Sequence, residues 1–184
     1  MKQILFVIGS LRSNSFNRRL AREAERLIGD KAEVRYLDYS SLPLMNQDVE
    51  FPAPEAVAQV RRQVGEADGI WIFTPEYNHS YPGHLKTLLD WLSRTFKPND
   101  FGGATAIAGK RVTCSGVAGK SGAADSMGKL SELLSLVRAV EMKQPRCGVA
   151  LTGPSFASDS LDLTAEQKDT LARQAAAFLE FIGD

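Results

Sequence analysis

Five short apolar runs along the chain alternate with stretches in which apolar residues recur every three or four positions. A continuous apolar run of this length is typical of a strand buried on both faces, and the wider spacing is typical of a helix that buries one face. The runs predict strands over residues 4–8, 34–37, 69–74, 111–117 and 146–151. The pattern therefore predicts a strand followed by a helix, five times over.

This alternation predicts a parallel sheet covered by helices on both faces. Charged residues at Glu33, Arg35 and Asp38 surround the second run, which indicates a strand at the sheet edge. Five strands suit the flavodoxin-like order 2-1-3-4-5 better than the six-stranded dinucleotide-binding fold. We therefore expect an α/β fold, a flavodoxin-like three-layer sandwich around a five-stranded parallel sheet. No repeat or linker interrupts the pattern, so we expect residues 1–184 to form a single domain.

Composition and charge disfavour several classes of function. The 184 residues include 22 Lys and Arg and 22 Asp and Glu, and a formal net charge of zero argues against a general nucleic-acid binder. The apolar stretch near Met1 is too short for a signal peptide, and no run reaches the roughly 20 apolar residues that cross a bilayer. Cys114 and Cys147 lie within apolar runs, which favours buried thiols over a disulfide. These features predict a cytoplasmic protein with no membrane or nucleic-acid partner.

The loop after the first strand carries groups that suit an anion. In sheets of this order, ligands bind beyond the carboxyl ends of the strands, close to the switch point between strands 1 and 3. Ser10, Arg12, Ser15 and Asn17 stand there at the start of a helix, whose first amides and dipole attract negative charge. Arginine adds a charge-assisted hydrogen bond to a phosphate. Ser and Asn are also common as ordinary helix caps, so both interpretations stay open.

The loops after the third and fourth strands suit a flat ring. The loop after the third strand offers Tyr77 as an apolar contact and the peptide groups of residues 76–78 as hydrogen-bonding groups; the alternative is a surface turn. The segment 115–124 consists mainly of small residues, which let a ligand approach the backbone closely. Residues 119–121 end like a P-loop, but Cys114 stands where that motif needs its first glycine, which disfavours a nucleotide hydrolase.

Together the three loops resemble the NADPH-dependent FMN reductase family, which includes bacterial chromate and quinone reductases. The resemblance rests on Gly9-Ser10-Leu11-Arg12 with Ser15-Phe16-Asn17, on Thr74-Pro75-Glu76-Tyr77-Asn78 with Pro82-Gly83, and on Ser115-Gly116. It covers the chain from the first strand to the helix after the fourth strand. The segment 96–109 and the tail after Leu151 match less well.

By this resemblance, the three loops divide one FMN between them. The phosphate is held by Ser10, Arg12, Ser15 and Asn17, the isoalloxazine ring is lined by Pro75, Glu76, Tyr77 and Asn78, and its other edge is closed by Ser115 and Gly116. The family uses no dedicated catalytic side chain and no metal, because hydride passes from nicotinamide C4 of NADH or NADPH to flavin N5. The protein is then expected to contribute position and electrostatics.

The resemblance implies an FMN-dependent NAD(P)H oxidoreductase with a ping-pong mechanism, working as a homodimer or homotetramer. Quinones, flavins or other small oxidants such as chromate are the expected electron acceptors.

The alternative is a non-enzymatic flavodoxin-type electron carrier, against which the zero net charge and the Ser-Leu-Arg loop argue. A receiver-like signalling domain needs acidic residues where Gly9-Ser10 and Thr74-Pro75 stand. A zinc site is disfavoured because no Cys or carboxylate cluster accompanies His79 and His84 in the sequence.

Overall fold

A computed structural model describes residues 1–183 of the protein. The strands are β1 (Lys2–Ile8), β2 (Ala32–Tyr36), β3 (Gly69–Thr74), β4 (Arg111–Ala118), β5 (Val140–Met142) and β6 (Gly148–Ala150). The helices are α1 (Phe16–Ile28), α2 (Glu55–Glu66), α3 (Gly83–Leu92), α4 (Ala124–Leu136), α5 (Gly153–Ser158) and α6 (Ala165–Gly183). Strand and helix alternate through α4, as the apolar pattern predicts.

All strand pairs are parallel, and the sheet runs in the order β2-β1-β3-β4-β5, with β6 also paired to β4. The predicted flavodoxin-like order is therefore confirmed, and β2 lies at the sheet edge as expected. The order reverses between β1 and β3, so the loops after these strands and after β4 emerge at the same end of the sheet.

The fifth position of the sheet differs from the prediction of one strand over residues 146–151. Two short strands share it, because β5 pairs with Arg111–Thr113 of β4 and β6 pairs with Gly116–Ala118. The chain between them leaves the sheet, and Arg146 pairs there with Glu141. The sheet thus has six strands, and β4 keeps parallel partners along its whole length.

The helices cover both faces of the sheet, and the residues of β1 alternate between the two resulting cores. Leu5 and Val7 face the core that also contains the apolar side of α2, α3 and α4. Ile4, Phe6 and Ile8 face the core formed with α1 and α6. Burial of a large apolar side chain contributes about 1.5–3 kcal/mol, so this double-sided burial accounts for the unbroken apolar run.

The last helix, α6, begins with a capping box. Thr164 accepts a hydrogen bond from the Gln167 amide at 3.2 Å, and Gln167 Oε1 accepts one from the Thr164 amide at 2.9 Å. Cys114 and Cys147 are both buried and form no disulfide in the described part of the chain, as expected. Over residues 1–183, no helix has the length and apolar character needed to cross a bilayer.

Candidate functional site

A pocket of about 240 Å³ opens at the carboxyl ends of β1, β3 and β4. Its walls are formed by Ser10, Arg12, Ser15, Phe16, Asn17, Pro75, Glu76, Tyr77, Val117, Ala118, Gly119, Leu151 and Phe156. The loops after three strands and the chain beyond β6 thus meet at one place. Seven of the ten residues predicted for the site line this pocket, and Asn78, Ser115 and Gly116 do not.

Gly9 allows the ends of β1 and β3 to approach each other closely. Its amide donates to the Phe73 carbonyl at 2.7 Å, and a Cβ at this position would lie 3.0 Å from the Pro75 ring and 3.1 Å from the Phe73 carbonyl oxygen. A side chain would therefore push the two strand ends apart. The glycine brings the first loop, which contains Ser10 and Arg12, beside the loop that contains Pro75.

The first turn of α1 offers donors to a ligand. Ser15 occupies the N-cap and is buried, but its hydroxyl makes no capping hydrogen bond within residues 1–183. The first amides of a helix need acceptors from outside the helix, and the positive end of its dipole favours an anion. A buried N-cap serine that leaves this role open fits an external anion such as a phosphate. Ser15 therefore does not act as an ordinary helix cap in the described structure.

Asn17 has a structural role that the sequence did not indicate. Its Nδ2 donates to the Val117 carbonyl at 3.0 Å, and its Oδ1 accepts from the Val117 amide at 2.9 Å. The side chain is 2% exposed, so both of its polar groups are satisfied by β4. The main-chain amide of Asn17 belongs to the first turn of α1, whose amides need acceptors from outside the helix.

Arg12 lies at the mouth of the pocket, over the ring of Phe16 at 5.4 Å from the centroid. Its Nη2 is 2.6 Å from Oδ1 of Asp159, and Arg19 Nη2 is 3.6 Å from the other oxygen of that carboxylate. The hydrogen bond from Arg12 lowers the pKa of Asp159 below its usual range. Two guanidinium groups therefore stand at this end of the pocket, together with one ionised carboxylate.

A second depression of about 360 Å³ adjoins this end and is also basic. It shares Ser15 with the pocket and runs along α1, where Arg18, Arg19, Arg22 and Arg26 contribute to its walls. Although the whole chain has a formal net charge of zero, these four arginines outnumber the one acidic residue of the depression, Glu23, so this side of α1 is net positive. The local field attracts anions towards the first turn of the helix.

The opposite wall is formed by Pro75, Glu76 and Tyr77, and its backbone is fixed from behind. The Glu76 carboxylate accepts hydrogen bonds from Ser121 Oγ at 2.7 Å and from the amides of Asp125 and Ser126 at 3.0 and 3.1 Å. It thereby caps α4, whose own N-cap residue contributes no side-chain cap within the described chain. Because the carboxylate is occupied, Glu76 presents its main chain to the pocket.

Residues 77–80 form a tight turn at the end of this wall. Tyr77 and Ser80 exchange two backbone hydrogen bonds of 2.9 and 3.1 Å, and Asn78 and His79 both have positive φ values, 52° and 58°. Asparagine is among the residues that tolerate this conformation best. The turn places Asn78 at its tip, away from the pocket, so the peptide groups that face the pocket are those of residues 75–77.

His79 has acidic neighbours that were not evident in the sequence. Its Nδ1 lies 2.6 Å from Asp125 Oδ2 and 3.9 Å from Glu76 Oε1. The premise that no carboxylate accompanies this histidine is therefore wrong. The Glu76 oxygens already accept three hydrogen bonds, and His79 and Asp125 are exposed, so the group serves to fasten the turn to α4.

Ser115 and Gly116 lie beneath the pocket. Ser115 is fully buried, accepts from Trp71 Nε1 at 3.0 Å and donates to Gln174 Oε1 at 2.9 Å. A Cβ at Gly116 would collide with Ala123 and with the Thr74 carbonyl, so this glycine allows α4 to pack on the sheet. Pairing with β6 extends β4 to Ala118, and the residues of this segment that reach the pocket are 117–119.

Besides residues 117–119, three lining residues were not among those predicted for the site. Phe16, which stands in the Ser15-Phe16-Asn17 motif, both packs in the core and borders the pocket. Leu151 and Phe156 come from the tail, where no motif signals a site. Phe156 is 59% exposed and packs edge-on against Phe16, with ring centroids 6.0 Å apart.

The two ends of the pocket fit the two ends of an FMN molecule. One end offers the first-turn amides of α1, the hydroxyls of Ser10 and Ser15, and the Arg12 guanidinium, which suit a dianionic phosphate. The other end offers the flat backbone of residues 75–77 and the small residues 117–119, which suit a planar ring. Fold and site together define a flavodoxin-like α/β protein with a pocket suited to a nucleotide at the switch point of its sheet.

Comparison with known proteins identifies the family. The sequence profile of the family described as NADPH-dependent FMN reductase matches residues 2–151, and the chain belongs to this family. It is an NAD(P)H-dependent flavin oxidoreductase that uses FMN. The match ends before α5, so the tail that borders the pocket lies outside it.

Individual relatives agree with this assignment. The chain is 38% identical over 144 residues to a 2-hydroxy-1,4-benzoquinone reductase of a Burkholderia species, covering 78% of this chain and 75% of that protein. It is 35% identical over 188 residues to a quinone reductase of Escherichia coli strain K12, covering 98% and 95%. Among solved structures, the NAD(P)H:(acceptor) oxidoreductase FerB of Paracoccus denitrificans has a TM-score of 0.86 at 29% identity, covering 100% of this chain and 98% of that chain.

Proposed function

We propose that residues 1–184 form one FMN-binding domain that transfers electrons from NAD(P)H to quinones by a ping-pong mechanism. One observation carries the proposal: the pocket has two different ends. At one end is the N-terminus of α1, where the buried Ser15 makes no capping hydrogen bond within residues 1–183, and at the other is a wall lined by backbone. A pocket that joins an anion-binding end to a flat, backbone-lined wall suits both the phosphate and the ring of a flavin mononucleotide.

The proposed phosphate ligands are Ser10, Arg12, Ser15 and the main-chain amide of Asn17. Ser10 is 6% exposed and accepts a long hydrogen bond of 3.4 Å from the Arg12 amide, which keeps the loop folded towards the pocket. Arg12 supplies charge, and the helix supplies amides and dipole. Each of these groups acts on the phosphate, so together they favour FMN over riboflavin.

The proposed ring contacts are the main chain of Pro75 and Glu76 and the side chain of Tyr77. On the other edge, residues 117–119 take the place that the resemblance gave to Ser115 and Gly116. Asn78 stays a predicted ring contact, but its turn would have to move towards the pocket for Asn78 to reach the ring. Bound FMN supplies the chemistry, because the flavin ring accepts hydride and passes electrons on. The chain would hold the ring along these contacts, and the exposed side of the pocket would give the donor and the acceptor access to it.

A ping-pong mechanism is supported by the exposed surface that the pocket offers to flat molecules. Tyr77 is 52% exposed and Phe156 is 59% exposed, and both line the pocket. A nicotinamide and a quinone are both flat and both need the open face of the ring. Because they would compete for the same place, the oxidised donor has to leave before the acceptor binds.

Quinones are the acceptors that the relatives' names support, since the Burkholderia and E. coli proteins are both named quinone reductases. We include free flavins and chromate as further acceptors, because electron transfer at an open flavin edge requires little specific recognition.

A homodimer or homotetramer is supported by the exposed apolar side chains of Leu44, Phe96 and Phe101. A cytoplasmic location is supported by the use of NAD(P)H and by two free thiols.

The test is an anaerobic reduction of the FMN-loaded protein by NADH and by NADPH, followed through the flavin absorbance. Rapid bleaching supports the reductase, and the faster donor identifies the nicotinamide preference. Initial rates with a benzoquinone acceptor at several donor concentrations then give parallel double-reciprocal lines if the mechanism is ping-pong. Intersecting lines contradict that mechanism and leave the reductase standing. An FMN complex that stays oxidised favours the electron carrier.

A further inference from the structure

The segment that follows β6 makes two separate contacts with the phosphate end of the pocket. Phe156 of α5 packs edge-on against Phe16 and lines the pocket. Asp159, directly after α5, pairs with Arg12 at 2.6 Å and lies 3.6 Å from Arg19. This segment lies outside the residues matched by the family profile, so its role does not follow from family membership.

The position of the Asp159 carboxylate is set by its local structure. Thr152 and Ser155 form a capping box that begins α5, and the Asp159 amide donates to the Ser155 carbonyl at its end. Asp159 itself adopts a left-handed conformation with φ 48° and ψ 38°, which aspartate and asparagine tolerate better than most residues. The carboxylate is therefore presented to the arginines by a defined turn.

The two arginines form a compact group with the carboxylate. The guanidinium carbons of Arg12 and Arg19 lie 5.4 and 5.8 Å from the centroid of the Phe16 ring. Asp159 bridges the two guanidinium groups, so three charged side chains are ordered around one buried ring. Arg12 is also a wall of the pocket.

We propose that Asp159 is a positioning residue for the FMN phosphate, holding Arg12 at the pocket wall so that the protein prefers FMN to riboflavin. The inference rests on the proposed function. Guanidinium has five N–H donors in a fixed plane, and the bond to Asp159 involves Nη2, which leaves other donors for a phosphate. An arginine that is already oriented loses less conformational freedom when the ligand binds.

The opposite effect, repulsion between carboxylate and phosphate, is weakened by solvent. The side chains of Arg12 and Asp159 are 50% and 36% exposed, so water and salt screen the charges at this site. The orienting contact is a direct hydrogen bond of 2.6 Å, and Arg12 also lies over the Phe16 ring, so salt weakens it less than it weakens repulsion between charges that do not touch. We therefore expect the orienting effect of Asp159 to exceed its repulsion.

The experiment titrates the apoprotein separately with FMN and with riboflavin, following the quenching of flavin fluorescence. Asp159→Asn keeps the left-handed turn and removes the charge, and it should weaken FMN binding roughly three- to fivefold, less than the loss of Arg12 itself, because an exposed ion pair contributes at most about 1 kcal/mol to holding Arg12 in place. Riboflavin binding should stay within about twofold of the unsubstituted protein, because riboflavin has no phosphate. Asp162→Asn, an exposed carboxylate of the same segment, is the matched control and should change neither value.

A double substitution separates positioning from a general loss of structure. If Asp159 acts through Arg12, adding Asp159→Asn to Arg12→Ala should weaken FMN binding by less than about twofold. Unchanged FMN binding in Asp159→Asn alone would show that the ion pair has no bearing on the ligand, and tighter binding would show that the carboxylate competes with phosphate; either overturns the inference. Equal loss of FMN and riboflavin would indicate misfolding and overturns it as well. If the unsubstituted protein binds no FMN, the proposed function itself fails.

Discussion

The phosphate loop (residues 9–17) and the ring wall (residues 75–77 with 117–119) form opposite ends of one pocket but use their polar side chains differently. In the ring wall, the polar side chain of Glu76 points away from the pocket and fixes the backbone to α4. In the phosphate loop, Arg12 and Ser15 keep donor groups at the pocket. Asn17 is the exception, since it belongs to the loop and braces the wall.

This difference reflects the two parts of the ligand. A planar ring binds a shaped surface, so the wall needs a backbone that does not move. A phosphate binds individual donors, so the loop needs groups that keep N–H or O–H donors beyond those bound by protein acceptors. Substitutions can therefore separate the two roles, because a brace stabilises the protein without ligand, whereas a ligand-binding group affects affinity alone.

The largest effect is expected for Asn17→Ala. The substitution leaves the Val117 amide and carbonyl buried without partners, and each unsatisfied group costs about 1–3 kcal/mol. We expect the free energy of unfolding of the apoprotein to fall by about 3 kcal/mol, measured by urea denaturation. Asn14→Ala, an exposed asparagine of the same loop, is the control and should have almost no effect. A loss below about 1 kcal/mol in Asn17→Ala would mean that this side chain is not a brace.

Glu76→Ala should have the next largest effect on stability. It removes three hydrogen bonds to a carboxylate that is 8% exposed and leaves the first turn of α4 uncapped. Loss of such a cap costs about 2 kcal/mol in favourable cases, and we expect a decrease of that size. Glu76→Gln keeps one acceptor oxygen and should recover part of the loss. Glu132→Ala, an exposed glutamate on the same helix, should leave the urea midpoint unchanged.

Neither brace could be predicted from the sequence, although the elements that they join could. The apolar periodicity defines which residues are buried in β1, β3 and β4, and the position of each loop follows from the parallel order. The partners of Asn17 and Glu76 are 100 and 49 residues away along the chain, so their pairing depends on how helices settle against the sheet. A motif identifies such residues as important without indicating whether they face the ligand or the protein.

Two other features of the site could not be predicted, for related reasons. The predicted strand over residues 111–117 overlaps the small-residue segment 115–124, and pairing with β6 extends β4 to Ala118. Ser115 therefore falls inside the sheet, bonded to Gln174 of α6. The tail contributes Phe156 and Asp159 through a short helix whose polar sequence carries no periodic signal. Both features depend on tertiary contacts, because the sequence of neither segment alone determines its secondary structure.

Arg12→Ala should affect FMN affinity rather than stability, the opposite of what we expect for the two braces, Asn17 and Glu76. An exposed ion pair contributes about 0–1 kcal/mol, so the apoprotein should unfold at nearly the same urea concentration. FMN binding should weaken by about tenfold or more, because one charged hydrogen bond to the phosphate is lost. Arg26→Ala, at the far end of α1, is the control for charge alone and should retain FMN affinity. A similar loss in both variants would mean that only the general positive field attracts the ligand.

Ser15→Ala should have the smallest effect and gives the sharpest test of the comparison. Replacing an N-cap serine ordinarily lowers stability by about 1 kcal/mol, because a helix amide loses its acceptor. The Ser15 hydroxyl makes no such bond within the described residues, so the apoprotein should lose less than about 0.3 kcal/mol. FMN affinity should still fall by about threefold to tenfold through the lost phosphate contact, with riboflavin unaffected.

The matched control for Ser15→Ala is Thr164→Ala at the start of α6. Thr164 makes the capping bond that Ser15 lacks, so its replacement should lower stability by about 1 kcal/mol and leave FMN affinity unchanged. The two N-caps thus predict opposite outcomes from the same loss of one hydroxyl. If Ser15→Ala instead destabilises the apoprotein as much as Thr164→Ala does, Ser15 is a cap and the phosphate loop resembles the ring wall. In that case the distinction between the two ends of the pocket would not hold at its most critical position.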